Sequence, residues 1–361
     1  MKKIIFLIIL FITSSLFSLP LHKIKLLRGF KISLYAYPVP NARAMVFSPK
    51  GILYVGSRKR GVVYAIQDKN NDKKADRIKI IARKLDQPVG VDYYQGDLYF
   101  SSIHKIYKIK KIDKVWMKNP RKKLITKRFP KDRWHGWKFM RFGPDGWLYI
   151  PVGAPCNICY RRDKRYSSIM RMKKDGSKIE IYAHGIRNSV GFDWHPVTKQ
   201  LWFTENGGDY MGDNIPPDEL NLAYKKGLHF GFPFIHGSSI RDRKYGYYRK
   251  WKKIRFIKPK YNFIAHSAVL GMRFYTGKMF PKKYKHQIFV AEHGSWNRSK
   301  KSGYRISVLF LKGNKVIKYK VFAYGFMKNE VDWGRPADVV VGRDGALYVS
   351  DDKAGAIYRN S

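Results

Sequence analysis

Residues 143–155 read GPDGWLYIPVGAP, and residues 342–360 read GRDGALYVSDDKAGAIYRN. Each sets an Asp-Gly turn ahead of an apolar-aromatic-apolar triplet, which predicts a hairpin strand with side chains alternating at period two. The phrase recurs, with variation, as SPKGILYVGSRKRGVVYAI (48–66), YYQGDLYFSSIHKIYKI (93–109), HPVTKQLWFTENGG (195–208) and YKHQIFVAEHGSW (284–296). Leu53, Leu98, Leu148, Leu201, Ile288 and Leu347 mark the six copies, at intervals of 45, 50, 53, 87 and 59 residues. A unit of that length holds a four-stranded sheet, and six of them predict an all-β, six-bladed β-propeller. The 87-residue interval implies one long inter-blade insertion around 224–284. Because the last phrase ends at the C-terminus, ring closure is expected to use a strand from near residues 24–48.

Composition bounds the rest. The chain has 361 residues, a formal net charge of +47, 44% hydrophobic and 16% aromatic residues. That apolar content excludes a disordered polycation, and two cysteines exclude a disulfide-dense scaffold. Lys2 and Lys3 precede the apolar run Ile4–Ile12, followed by Thr13, Ser14 and Ser15. This order reads as a secretory signal peptide over 1–18, with a single propeller domain over 19–361 and a periplasmic or secreted destination. The run is shorter than the roughly 20 residues a membrane span needs.

Function in a propeller gathers where loops converge on the central channel, so polar residues just outside the repeated strands are the candidates. His135, between Trp134 and Trp137, reads either as a general base or as a packed, hydrogen-bonded histidine. Arg187 and Asn188, bracketed by Gly185 and Gly191, offer a guanidinium fork and an amide to a ligand, or a structural bridge between blades. The segment 204–223 brings Glu205, Asp209, Asp213, Asp218 and Glu219 together around Gly207-Gly208. It suits a hard cation such as calcium, or equally a solvated acidic loop. Cys156 and Cys159 read as a loop disulfide in an exported protein, with a redox-active pair as the alternative. Basic runs at 108–133 and 241–260 fit an anionic cell-surface contact; an exported chain with Lys spread throughout argues against a nucleic-acid partner.

The chain resembles the soluble glucose/sorbosone dehydrogenases, most closely their L-sorbosone dehydrogenase-like branch. The resemblance runs from about Leu27 to Tyr358. It is carried by VPNARAMVFSPKGILYVG, WHGWKFMRFGPDGWLYIPVGAPCNIC, GIRNSVGFDWHP, PPDELN, GLHFGFP, GMRFYTG, AEHGSWNRS, GRPADVVV and SDDKAGAIYR. It implies a six-bladed propeller that oxidises an aldose or sugar aldehyde with pyrroloquinoline quinone (PQQ) and calcium, passing electrons to a separate acceptor. By position, His135 matches the family's catalytic base, Arg187 and Asn188 its quinone-contacting pair, and Gly207 and Gly208 the carbonyls that hold calcium. Gln87 lies near a cofactor-touching glutamine, and Arg335 matches the first of two carboxylate-gripping arginines. Ala337 stands where the second arginine is expected, and the family's lysine gives way to AEHG, leaving His293 or Arg298 as substitutes. The implied chemistry has His135 remove a hydroxyl proton as hydride passes to the quinone. Two other readings are a lactonase-like propeller with a channel metal and a non-catalytic propeller that binds polyanions.

Overall fold

The computed structural model describes residues 19–248 and 253–361. The expected signal peptide and part of the 241–260 basic run lie outside the described residues. Six four-stranded antiparallel sheets follow one another along the chain. The first blade runs from Ala42–Phe47 to Arg77–Ala82, the second from Val91–Tyr94 to Lys123–Thr126, and the third from Arg141–Phe142 to Ile179–His184. The fourth spans Gly191–Trp194 to Tyr261–Asn262, and the fifth Val269–Phe274 to Lys315–Tyr324, with Lys25–Leu26 added to its edge. The sixth takes Pro336–Val341, Leu347–Asp351 and Ala356–Asn360 from the end of the chain and Ile32–Ala36 from the beginning. Ring closure thus uses a strand inside the expected window.

All six sequence marks fall in the second strand of a blade. Leu53, Leu98, Leu148, Leu201, Ile288 and Leu347 are all buried, at 0 or 1% exposure. They sit where neighbouring sheets pack, each such residue contributing about 1.5–3 kcal/mol of burial. The long insertion falls within the fourth blade, between its third strand (Glu219–Ala223) and its outer strand. It carries the hairpin Ile235–His236/Ile240–Arg241 and straps back onto the third blade, where His184 pairs with His229.

Adjacent blades are tied in a pattern that repeats every second blade. Asp92, Asp193 and Asp338, on the inner strands of blades two, four and six, accept the backbone N–H of Phe142 (2.6 Å), Phe274 (3.0 Å) and Met45 (2.9 Å) in the next blade. On the second strands of the same blades, Ser101, Thr204 and Ser350 donate to the carbonyls of Lys138 (2.8 Å), Leu270 (2.6 Å) and Arg43 (2.8 Å). Arg141 bonds Asp193, and Arg273 lies 3.6 Å from Asp338; Val46 occupies the corresponding place in the first blade. Buried backbone groups between sheets need such partners, and the side chains of alternate blades provide them.

Candidate active site

In antiparallel blades the start of each inner strand and the end of each second strand lie at one end of the ring. Loops at that end carry His135, Arg187, Asn188, Gly207, His293 and Arg335, and these six line one cavity of about 220 Å³. Gly208 lies beside it, packed under Ile158: a Cβ on Gly208 would come within 2.9 Å of Ile158 Cδ1. Gln87 sits in the connection entering the second blade, with φ +46°, outside the cavity lining. Arg298 is drawn away to the carbonyls of Asp213 and Lys300, so of the two substitutes for the missing lysine His293 is the one that faces the cavity.

His135 is held in a left-handed backbone conformation (φ +48°), which costs a residue with a Cβ on the order of 1–2 kcal/mol. Two glycines permit it. A Cβ at Gly136 would stand 2.2 Å from the Asp132 carbonyl, and one at Gly153 would stand 2.6 Å from His135 Cβ. His135 Nδ1 lies 2.8 Å from the Ala154 carbonyl oxygen. A carbonyl only accepts, so Nδ1 carries the hydrogen and Nε2 keeps its lone pair. Burial, then the Arg187 guanidinium and buried Lys138, push the imidazole pKa down to about 3, against the opposing pull of the Ala154 bond. It is a neutral proton acceptor over the physiological range.

Arg187 is buried and almost fully engaged. Nε donates to the Asn157 carbonyl (2.8 Å), Nη1 to that of Asn206 (3.3 Å), and Nη2 to Asn157 Oδ1 and Asp209 Oδ2 (both 2.8 Å). One of its five N–H groups remains for a ligand. The acidic segment is neither a solvated loop nor a carboxylate cage. Glu205 and Glu219 face each other across paired strands and share Asn221 Nδ2; burial, then their mutual repulsion, raises Glu205 well above its usual range. Asp218 accepts from the N–H of Gly207 (2.8 Å) and Ala268 (2.7 Å), and Asp209 pairs with Arg187. Asp213 accepts from the N–H of Ser299 at 3.0 Å. Among the described residues no three His, Cys, Asp or Glu side chains converge as a metal cage. The carbonyls of Gly207 and Gly208 accept no hydrogen bond from the described residues, which leaves hard oxygen donors for a cation.

The lining also carries residues that sequence reasoning missed. Arg43, Arg58, Trp137 and Asn297 line the same cavity. Arg43 Nη2 pairs with Asp352 Oδ2 at 2.7 Å, and Asp352 Oδ1 lies 2.8 Å from His293 Nε2. Burial opposes ionisation of Asp352, but Arg43, His293 and Arg335 together hold it far below the usual carboxylate range. Arg335 donates to the carbonyls of His293 and Gly294. Arg58 lies 4.4 Å over the Trp137 ring, and burial followed by repulsion from Arg43 pushes its pKa down to about 10, with Asp352 opposing. Neither Arg58 nor Arg335 has a carboxylate within ion-pair distance among the described residues. Arg43 Nε, Arg58 Nε, Trp137 Nε1 and both amide atoms of Asn297 are buried without a hydrogen-bond partner. The cavity lining thus carries four arginines, Arg43, Arg58, Arg187 and Arg335, a concentration of positive charge that suits a polar, anionic guest. The phrase repeated as RAMVF (43–47), KFMRF (138–142) and LGMRF (270–274) marks inner strands but singles out none of Arg43, Arg58, Trp137 and Asn297, since Arg43 aligns with Lys138 and Leu270.

The family model described as Glucose / Sorbosone dehydrogenase matches residues 106–359. The chain belongs to this family. A relative in Borreliella burgdorferi, named only as an uncharacterized protein, is 36% identical over 93% of this chain and 90% of its own. The aldose sugar dehydrogenase YliI of Escherichia coli is 27% identical over 53% of this chain and 46% of its own. Among solved structures, the holo pyranose dehydrogenase PQQ domain of Coprinopsis cinerea superposes with a TM-score of 0.78 at 17% identity, covering 94% of this chain and 97% of that one. That likeness concerns the fold. Among the described residues of this family member, no helix is long and apolar enough to cross a membrane. Cys156 and Cys159 are bridged.

Proposed function

We propose that this chain is an exported, PQQ- and calcium-dependent dehydrogenase that oxidises an aldose or sugar aldehyde, with His135 as general base. The observation that carries the reading is the set of four arginines lining the His135 cavity, of which Arg58 and Arg335 have no carboxylate partner among the described residues. Arg58 and Arg335 fit carboxylates of a planar cofactor, and Asn188, Asn297 and Trp137 fit its polar edges. Gly207 and Gly208 offer carbonyl oxygens of the kind calcium takes. When bound, PQQ supplies an o-quinone that accepts hydride, and calcium supplies Lewis acidity.

The protein's own part follows from the geometry. His135 Nε2 takes the proton from the substrate hydroxyl, while Ala154 fixes the ring's tautomer and orientation. The free N–H of Arg187 stabilises negative charge developing opposite it, in a site that its other bonds have already preorganised. Release of electrons to a separate acceptor, and attraction of the basic surface to anionic cell-surface material, complete the reading.

Reconstitution with calcium chloride and PQQ, followed by dye reduction over a panel of aldoses and sugar aldehydes, tests it. His135→Ala should lower kcat by about 10²–10⁴-fold while quinone uptake persists. Absence of quinone uptake by the unmodified protein would refute the proposal.

A further inference from the structure

Asn157 stands inside the Cys156–Cys159 bridge, and it grips two parts of the site at once. Its carbonyl and its Oδ1 accept from Nε and Nη2 of Arg187, both at 2.8 Å. The same Oδ1 accepts the Asp209 backbone N–H at 2.8 Å, and Nδ2 donates to the Asp209 carbonyl at 2.8 Å. Two bonds therefore fix the rotation of the guanidinium, and two fix the backbone immediately after Gly207-Gly208. The next residue, Ile158, lies against Gly208 so closely that a methyl group there would be 2.9 Å from it.

We propose that Asn157 is a positioning residue coupling Arg187 to the Gly207–Asp209 turn, and that the Cys156–Cys159 bridge keeps it in place. The catalytic arm of this proposal rests on the roles given above to Arg187 and the two glycine carbonyls. The short covalent loop removes backbone freedom from the residue that makes all four bonds, so the clamp is ordered before any ligand arrives. Reduction opens the loop: a dithiol gives two electrons and two protons to the bridge, forming two thiols, and leaves as its own cyclic disulfide.

The test uses the full chain with Asn157→Ala, Asn157→Asp and the double variant Cys156→Ser/Cys159→Ser. Hydrogen exchange of the cofactor-free proteins, followed by mass spectrometry, should show peptides covering 206–212 exchanging at least tenfold faster in Asn157→Ala and in the double variant. The flanking strands Leu201–Glu205 and Glu219–Ala223 should keep their protection. In reconstituted protein, Asn157→Ala should lower kcat about 10–100-fold and raise the calcium concentration needed for half-activation, with the sugar KM changing less than threefold. Asn157→Asp retains the acceptor bonds and loses the donor, so it should fall between. Dithiothreitol should move the unmodified protein toward the double variant and leave the double variant unchanged. Unaltered exchange over 206–212, or Asn157→Asp no better than Asn157→Ala, would overturn the proposal. Failure of the unmodified protein to take up quinone would sink the dehydrogenase reading instead, and the exchange result would then decide the clamp alone.

Discussion

Adding one methyl group at Gly153 should disable the enzyme while leaving its fold and cofactor uptake intact. The new Cβ would stand 2.6 Å from His135 Cβ and 3.2 Å from the carbonyls of His135 and Arg187. Carbon atoms in contact sit about 3.5–4.0 Å apart, so the imidazole must retreat by about 1 Å. A shift of that size breaks the 2.8 Å bond to the Ala154 carbonyl, the contact that fixes the tautomer. Overpacking of this kind costs about 1–3 kcal/mol, and misplacing a catalytic group by about 1 Å costs on the order of 10²-fold in rate. The assay is initial-rate dye reduction by Gly153→Ala loaded with calcium and PQQ, with quinone uptake and thermal melting measured on the same sample. The expected result is kcat down about 100-fold, uptake within a few-fold and a melting midpoint lower by a few degrees. A kcat within twofold of the parent would show that the placement of His135 does not limit the reaction.

Three other outcomes follow from the same geometry. Arg58→Gln should weaken quinone binding about 10–100-fold, the worth of a charge-assisted bond, without lowering the melting point of the cofactor-free protein, because it removes a charge that burial and Arg43 disfavour more than Asp352 favours it; fluorescence titration and melting check both halves. His135 ionises near pH 3 in the fold against about 6.5 unfolded, so its contribution to stability is complete above pH 6.5 and is lost as pH falls toward 3; kcat/KM measured from pH 7 to pH 5 should show no inflection at 6.5. Asp338→Ala strands buried Arg273 and the Met45 N–H, and should cost about 3–5 kcal/mol in urea unfolding; Asp92→Ala, whose counterpart position holds Val46, should cost less.

The architecture was legible because its signal is local. Each Leu-Tyr, Leu-Trp or Ile-Phe mark lies beside its own turn, and all six fell on second strands. Half of the site was legible for a different reason: His135, Arg187, Asn188, Gly207, His293 and Arg335 lie in loops, where glycine and polar residues stand out against apolar strands. Arg43 did not stand out, because it sits within an inner strand and reads as framework. Its role depends on Asp352, which is brought against it only by closure of the ring between the first and last blades. The carboxylates of 204–223 misled for the same reason. Sequence proximity suggested a shared ion, whereas strand pairing sends Glu205 and Glu219 into one buried pair and aims Asp218 at backbone N–H groups.

The ties between blades have an arithmetic of their own. Blades two, four and six give the carboxylate and the hydroxyl, and blades three, five and one receive them. A ring alternating in this way has an even membership by necessity: deleting or duplicating a single blade would set two givers or two receivers side by side, with a buried aspartate facing another or a row of amides facing none. The natural module of inheritance and of redesign is therefore the couple of blades.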